Sequence, residues 1–385
     1  MRARLLCATA LAGLALTRPA LAQPAPGTGP QGGRVVAGQA AITTAPGRTT
    51  ITQGSDRAAI DWQRFDVGRD HTVQFRQPSA QSWTLNRVQA GDPSTIAGRI
   101  QANGGVVITN PSGVVFSQGA QVNVGSLIAS APGITNEAFM AGRMRFDQPA
   151  RPGARVSNAG EITVAQGGLA ALVAPEVANS GRIRARLGRV VMGGAEAYAL
   201  DLQGDGLISF DVTEQVRSHG GAPALVTNSG EIEAQGGTVL LAARAAGGVI
   251  ETLVSQAGSV EVGPGRATLR AEGGDVAVSG RIGATGGASG RGGTVAVVAS
   301  GTARLAPSAR IDASGGAGGG RVVVGAGAAS RPGAAVGLGG GVAMAAGAQI
   351  RADATQRGSG GTVVLHSADR TEALGRISAR GAGGG

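Results

Sequence analysis

The chain has 385 residues, of which 69 are glycine, 42% are hydrophobic and only 2% are aromatic, and its formal charge is +10. So few bulky side chains exclude a compact core built on them, while Val, Ile and Leu triplets recurring between the glycines argue against disorder. Glycine has no period of three, which excludes collagen.

Residues 1–22 have the three regions of a secretory signal peptide: Arg2 and Arg4, an apolar run from Leu5 to Leu16, and Ala20-Leu21-Ala22 before Gln23. Cleavage is expected between Ala22 and Gln23. The apolar run is too short to remain as a membrane span, and no other stretch offers 18 apolar residues. Cys7, the single cysteine, leaves with this segment, so the mature chain enters a disulfide-permissive compartment without a thiol. Residues 23–31 read as a Pro- and Gly-rich linker.

Both tryptophans and five of the six phenylalanines lie between residues 62 and 146, and none follows Phe210. Stacked repeats need a covered end. Trp62, Phe65 and Phe75 are therefore the expected N-terminal cap, with a repetitive stack behind it.

Residues 102–130 hold three short apolar runs, Val106-Val107-Ile108, Val114-Val115-Phe116 and Val122-Asn123-Val124, with Leu127-Ile128 after a Gly-Ser break. The first two are joined by Asn110-Pro111-Ser112-Gly113. Proline presets φ for a tight turn, glycine tolerates a positive φ on leaving it, and asparagine can bond its own backbone. Three strands within about 25 residues match one rung of a parallel β-helix.

This stretch resembles the N-terminal secretion domain of filamentous-haemagglutinin-like exoproteins, the passengers of two-partner secretion. The resemblance rests on Asn103-Gly104, Asn110-Pro111-Ser112-Gly113-Val114 and Val122-Asn123-Val124-Gly125. It extends upstream through Ile60-Asp61-Trp62, Phe65, Asn86-Arg87-Val88 and Pro93-Ser94, and downstream through Phe139, Gly142, Phe146 and Gly204-Asp205-Gly206-Leu207 before Ser209-Phe210. The family usually has Asn where this chain has Ser112. The resemblance implies an all-β, right-handed parallel β-helix, with a secretion (haemagglutination activity) domain over residues 32–215 and a Gly-rich repeat region over 216–385. It also implies a secretion motif of Asn110, Pro111, Ser112 and Gly113, with Asn123 and Gly125 as companions. The implied partners are the general secretion machinery and a dedicated outer-membrane β-barrel transporter with periplasmic recognition domains. Family members usually continue further, so a shortened exoprotein or fragment is expected.

From residue 156 the chain repeats itself. Asn158-Ala-Gly-Glu-Ile162, Asn179-Ser-Gly-Arg-Ile183 and Asn228-Ser-Gly-Glu-Ile232 share one pattern, and looser copies end at Ile282, Ile311, Ile350 and Ile377. Successive isoleucines are 21, 49, 50, 29, 39 and 27 residues apart. Coils with loops of varying length would stack at about 4.8 Å and align these residues inside, with Asn and Gly at corners that need positive φ. At roughly 22 residues per coil the chain would form about 15 coils and a rod of about 70 Å.

Nothing here forms a catalytic or metal-binding signature. His71, His219 and His366 share no ligand spacing, and Asp201 to Gly206 lacks the repeated acidic residues of a calcium loop. The basic residues are all arginine and scattered singly, which reads as solvated surface, with anionic glycans or lipids ahead of nucleic acid. The function the resemblance implies is that of a secreted two-partner-secretion exoprotein acting as a surface adhesin, not an enzyme, without cofactor. The alternatives are a polysaccharide-binding or polysaccharide-degrading β-helix, for which Asp201, Asp205, Asp211 and Arg217 are the local residue set, and a passive matrix solenoid. Host-cell and bacterial surface glycans both stay open as targets.

Overall fold

The structure, a computed structural model, describes residues 23–201, 210–325 and 340–383. The expected signal segment through Ala22 and the expected Gly204-to-Ser209 positions lie outside the described residues.

The chain winds through three long sheets of 12, 10 and 13 strands. One coil shows the scheme. Gly105–Thr109 lies in the first sheet, Gly113–Phe116 in the second and Gln121–Val124 in the third. Ser126–Ser130 then returns to the first sheet, parallel to Gly105–Thr109, with Leu127 beside Val106 and Ile128 beside Val107. This is a parallel β-helix. Antiparallel pairing within the three long sheets is confined to the N-terminal end, where Arg34–Ala37 pairs with Arg57–Trp62 and Ala40–Ala45 with Arg48–Gln53.

Alternation explains the strands. In Thr294–Ala299 and Arg266–Glu272 every second residue is buried, as a strand with one face inside requires. The inward residues align in columns: Val122, Ile162, Ile183, Ile232, Val260, Ile282, Ile311 and Ile350 are in register through successive parallel pairs. Each such burial contributes about 1.5–3 kcal/mol. Val260 accounts for the 50-residue gap in the isoleucine series, which spans two coils.

Two expectations are corrected. The third sheet has thirteen strands, of which only the first is antiparallel, so the described residues make twelve coils rather than fifteen, a rod of about 55 Å. The missing coils are chain diverted to the outside, chiefly residues 131–154, 195–201 and 210–225. Nor do the repeat asparagines adopt positive φ: among the described residues only Leu187 does so without being glycine. Instead their amides form a buried ladder along the stack. Asn158 Nδ2 donates to Asn179 Oδ1, Asn179 to Asn228 and Asn228 to Gln256 Oε1, each at 2.8 Å.

Most corner glycines serve close approach. A Cβ on Gly188 would fall 2.3 Å from Gly168 O, and one on Gly237 would fall 2.1 Å from Gly188 O. Those same oxygens accept the Arg189 and Thr238 amides that tie one coil to the next.

The diverted segments build a second core outside the helix. Leu85, Val107, Ile128, Ala171 and Val191 point outward from the first sheet yet are buried. They are covered by Phe139 of a short helix (Asn136–Met140, N-capped by Thr135) and by a three-stranded antiparallel sheet of Met144–Phe146, Ala197–Leu200 and Phe210–Glu214. Phe146 stacks on Tyr198 at 4.6 Å, and Phe210 fills the space that a Cβ on Gly193 would occupy.

Candidate functional site: the Asn110 turn and the capped end

Asn110 to Gly113 close the corner between the first two strands of a coil. Gly113 N donates to Asn110 O at 2.8 Å, which closes the turn, and Ser112 N donates to Asn110 Oδ1 at 2.9 Å. Gly113 has φ +110°, and a Cβ there would meet Arg155 O at 2.1 Å, so glycine is required twice over. Asn110 is fully buried, and its Nδ2 donates to Asp92 O at 3.0 Å and Ser94 Oγ at 3.1 Å in the preceding coil. Its own amide donates to Ser130 O in the following coil. One side chain and its backbone thus stitch three coils.

Ser112 takes a direct part. Its hydroxyl donates to Gly91 O at 2.6 Å and accepts from Arg151 Nη1 at 2.9 Å, and the same guanidinium also reaches Gly91 O. Arg151 N donates to Pro111 O. Arg64 and Asp92 form an ion pair at 2.7 Å beside this corner.

The companion residues lie elsewhere. Asn123 is exposed on the outer face of the third sheet, paired in register with Gln101 and Thr163. Gly125 packs its backbone on the preceding coil, where a Cβ would fall 2.7 Å from Gly104 O.

The aromatics expected as a cap sit in the first coils. Trp62 is 2% exposed, donates its Nε1 to Asn86 Oδ1 at 3.0 Å and meets Phe65 edge-on at 5.5 Å. Phe75 lies between Ile51 and Ala102. Residues 25–31, part of the 23–31 stretch read from sequence as a linker, run across this end: Gly68 N donates to Thr28 O, Asp70 N to Pro26 O and Gln31 N to Arg64 O. Gly33 lies flat on Trp62, where a Cβ would be 2.4 Å from the ring, and Gly29 lies equally close on His71. Gln23, the expected new N-terminus, is exposed. Sequence reasoning missed this strap; the signal was the spacing of Gly29, Gly32 and Gly33 opposite large side chains.

His71 is buried, with Nε2 3.0 Å from Thr49 Oγ1, and burial holds its pKa below the usual imidazole value despite the backbone of Gly27. Arg57 lies 5.5 Å over the Phe139 ring, and burial lowers its pKa too. On the outer face of the third sheet Arg182 bonds Glu231, which holds that carboxyl below its usual range and raises the guanidinium.

Of the four residues that a polysaccharide-degrading site would need, Asp205 lies outside the described residues. Asp201 and Asp211 are exposed, and Arg217 N donates to Glu196. No group of three metal-ligating side chains occurs among the described residues.

A β-helix with an antiparallel capped end and a stitched Asn-Pro-Ser-Gly corner defines a class: the secretion domain of a two-partner-secretion exoprotein. The TPS secretion domain family model matches residues 27–263, and the chain belongs to that family. Exoproteins of this class reach the cell surface through the periplasm, and an outer-membrane two-partner-secretion transporter is the partner the family implies. Among curated proteins, the heme/hemopexin-binding protein of Haemophilus influenzae strain Rd is 45% identical over 101 residues, 26% of this chain and 11% of that protein. A second Haemophilus influenzae heme/hemopexin-binding protein is 44% identical over 102 residues, with the same coverage. The chain thus matches about a tenth of the length of these relatives. The crystal structure of the HMW1 secretion domain from Haemophilus influenzae shares the fold, with a TM-score of 0.64 and 23% identity over 91% of this chain and all of that one.

Proposed function

We propose that the mature chain begins at Gln23 and crosses the outer membrane as an extended polypeptide. The transporter's periplasmic domains bind it by strand addition, and it then folds outside the cell into a rod that acts by adhesion rather than catalysis. The observation that carries this reading is the burial of Asn110: with no surface left in the folded coil, its side chain can meet a transporter only before folding. Strand addition suits such a substrate, because main-chain hydrogen bonds supply affinity to any extended segment. In the folded state Asn110, Pro111, Ser112 and Gly113 close the corner, Gly125 permits the next coil to seat, and Trp62, Phe65 and Phe75 underlie the cap. Only about a tenth of the curated relatives, which by name bind heme and hemopexin, is matched, so the export step alone is carried over from them.

The test is release into the medium from a Gram-negative host with and without the cognate transporter, for wild type and Asn110→Ala. Circular dichroism of each purified protein reports folding. Transporter-dependent release of wild type is expected, with Asn110→Ala released less and refolding more slowly. Wild type retained in the periplasm with its cognate transporter present would overturn the export reading. A mutant that refolds like wild type but is not released would assign Asn110 to recognition instead of closure.

A further inference from the structure

The outer face of the third sheet changes character along the rod. From Glu161 to Arg281 its charges neutralise one another: Arg184 pairs with Glu161 and Glu233, Arg182 with Glu231, and Arg281 with Glu261 at 2.7 Å, while further on Arg310 bonds only backbone carbonyls among the described residues. In the coils before Glu161 the outward positions carry Arg48, Arg76 and Arg99, the amides Gln74, Gln101, Gln121 and Asn123, and no carboxylate. The Arg48 and Arg99 guanidinium groups donate to neutral amides, Gln74 Oε1 at 3.3 Å and Gln121 Oε1 at 3.2 Å. Arg76, Gln101 and Asn123 have no partner among the described residues.

These free groups border a cleft of about 380 Å³ between Gln74, Arg76, Gln101, Asn103 and Asn123. Its wall is fixed. Asn103 accepts from Gln77 N and donates to Gln77 O, each at 2.9 Å, while the Gln77 side chain bonds Thr84, Gly105 and Gly104. A rigid wall with unpaired amides and a guanidinium is organised for a ligand that brings hydroxyls and negative charge together, since amides both donate to and accept from hydroxyls while arginine takes carboxylate or sulfate. The face exposes no aromatic ring for base stacking, which disfavours nucleic acid, and no large apolar side chain to enter a membrane.

We propose that this face, centred on Arg76, Gln101 and Asn123, is a binding site for an acidic polysaccharide, its uncompensated arginines taking the acid groups and its amides the hydroxyls. The site gives the proposed adhesive role a place on the rod. It is tested on purified folded protein, so its failure would leave the export reading untouched.

The probes are a size-fractionated heparin oligosaccharide and a maltooligosaccharide of equal length, titrated calorimetrically into the full chain at physiological salt. The variants are Arg76→Gln with Gln101→Ala, and, as a charge-matched control, Arg266→Gln, an exposed position on the first sheet. Heparin is expected to bind and the neutral oligomer not to. The double variant should lose about tenfold in affinity, the loss of one charge-assisted hydrogen bond, and the control less than about twofold. Equal losses in both variants would reduce the binding to diffuse charge and overturn the site. Absence of heparin binding, or equal binding of the neutral oligomer, would overturn the ligand class. All substituted residues are exposed, and circular dichroism confirms the fold of each variant.

Discussion

The first sheet presents the same outer face over its whole length, and the two halves use it differently. Up to Arg189–Gly194 its outward residues include Leu85, Val107, Ile128 and Val191, sealed beneath Phe139, Phe146, Tyr198 and Phe210. From Arg266–Glu272 onward the outward positions include Thr268, Ala296, Val298 and Val323, half-exposed with no layer above them among the described residues. Parallel pairing in the first sheet runs without a break through both halves. What separates them is side-chain volume outside and the presence of a diverted segment, so a solenoid can carry a conventional second core on one stretch of wall without altering its winding.

The largest effect expected from this contrast is at Phe146. Phe146→Ala empties the outer core and should cost about 3–5 kcal/mol, against under about 0.5 kcal/mol for Val298→Ala on the bare wall. Denaturant unfolding of both variants measures the difference, and equal losses would mean that the outer layer contributes little. Next come the corners. Gly237→Ala drives a Cβ into the Gly188 carbonyl and should cost about 1–3 kcal/mol or more. Gly247→Ala, with nothing within 4 Å, should be neutral or slightly stabilising in the same melts. Asn179→Ala removes the acceptor of Asn158 and the donor to Asn228, two buried amides, and should cost about 1–3 kcal/mol. The exposed-side neighbour Thr227→Ala should change the unfolding midpoint little.

The smallest effect concerns pH and only the capped end. His71 is buried with its pKa lowered, so the unfolded chain takes up the proton more readily than the folded one. Its contribution is therefore fully present above the unfolded value of about 6.5 and is lost as pH falls through the folded value. Hydrogen exchange along a pH series should show residues 25–31 loosening on acidification while the distal coils hold, and His71→Gln should flatten that response. Uniform loosening along the rod would remove His71 as the cause.

Much of the winding was legible in the sequence because it is written in period two and in recurring apolar residues: Val106, Val114 and Val122 fell on three successive strands, and Ile162, Ile183 and Ile232 on one column. The Asn110 corner was legible because proline and glycine constrain φ locally. The amide ladder was hidden behind a correct observation, that asparagine recurs, attached to backbone conformation when its side chain does the bonding. The outer core was hidden for a different reason. Phe139, Phe146, Tyr198 and Phe210 lie on diverted segments with no fixed spacing from the coils they cover, so no periodicity announces them. The cleft at Arg76 and Gln101 needs register as well as sequence, since Gln101 lies opposite Gln74 across the sheet, 27 positions away in the chain, with Arg76 two residues further along that strand.

The strap over Trp62 and His71, with the reversed strands Arg34–Ala37 and Ala40–Ala45, gives the stack one closed end. Beyond it the three long sheets pair in parallel throughout the described residues, and the first coil with a strand in each sheet takes the 22 residues from Trp83 to Gly105. In such an arrangement length is a free variable. A unit duplicated or deleted far from the closed end leaves the Asn110 corner, the strap and the cleft as they were. The rod can thus be lengthened or shortened by inheritance as a spacer of adjustable reach, while the closed end keeps one fixed shape.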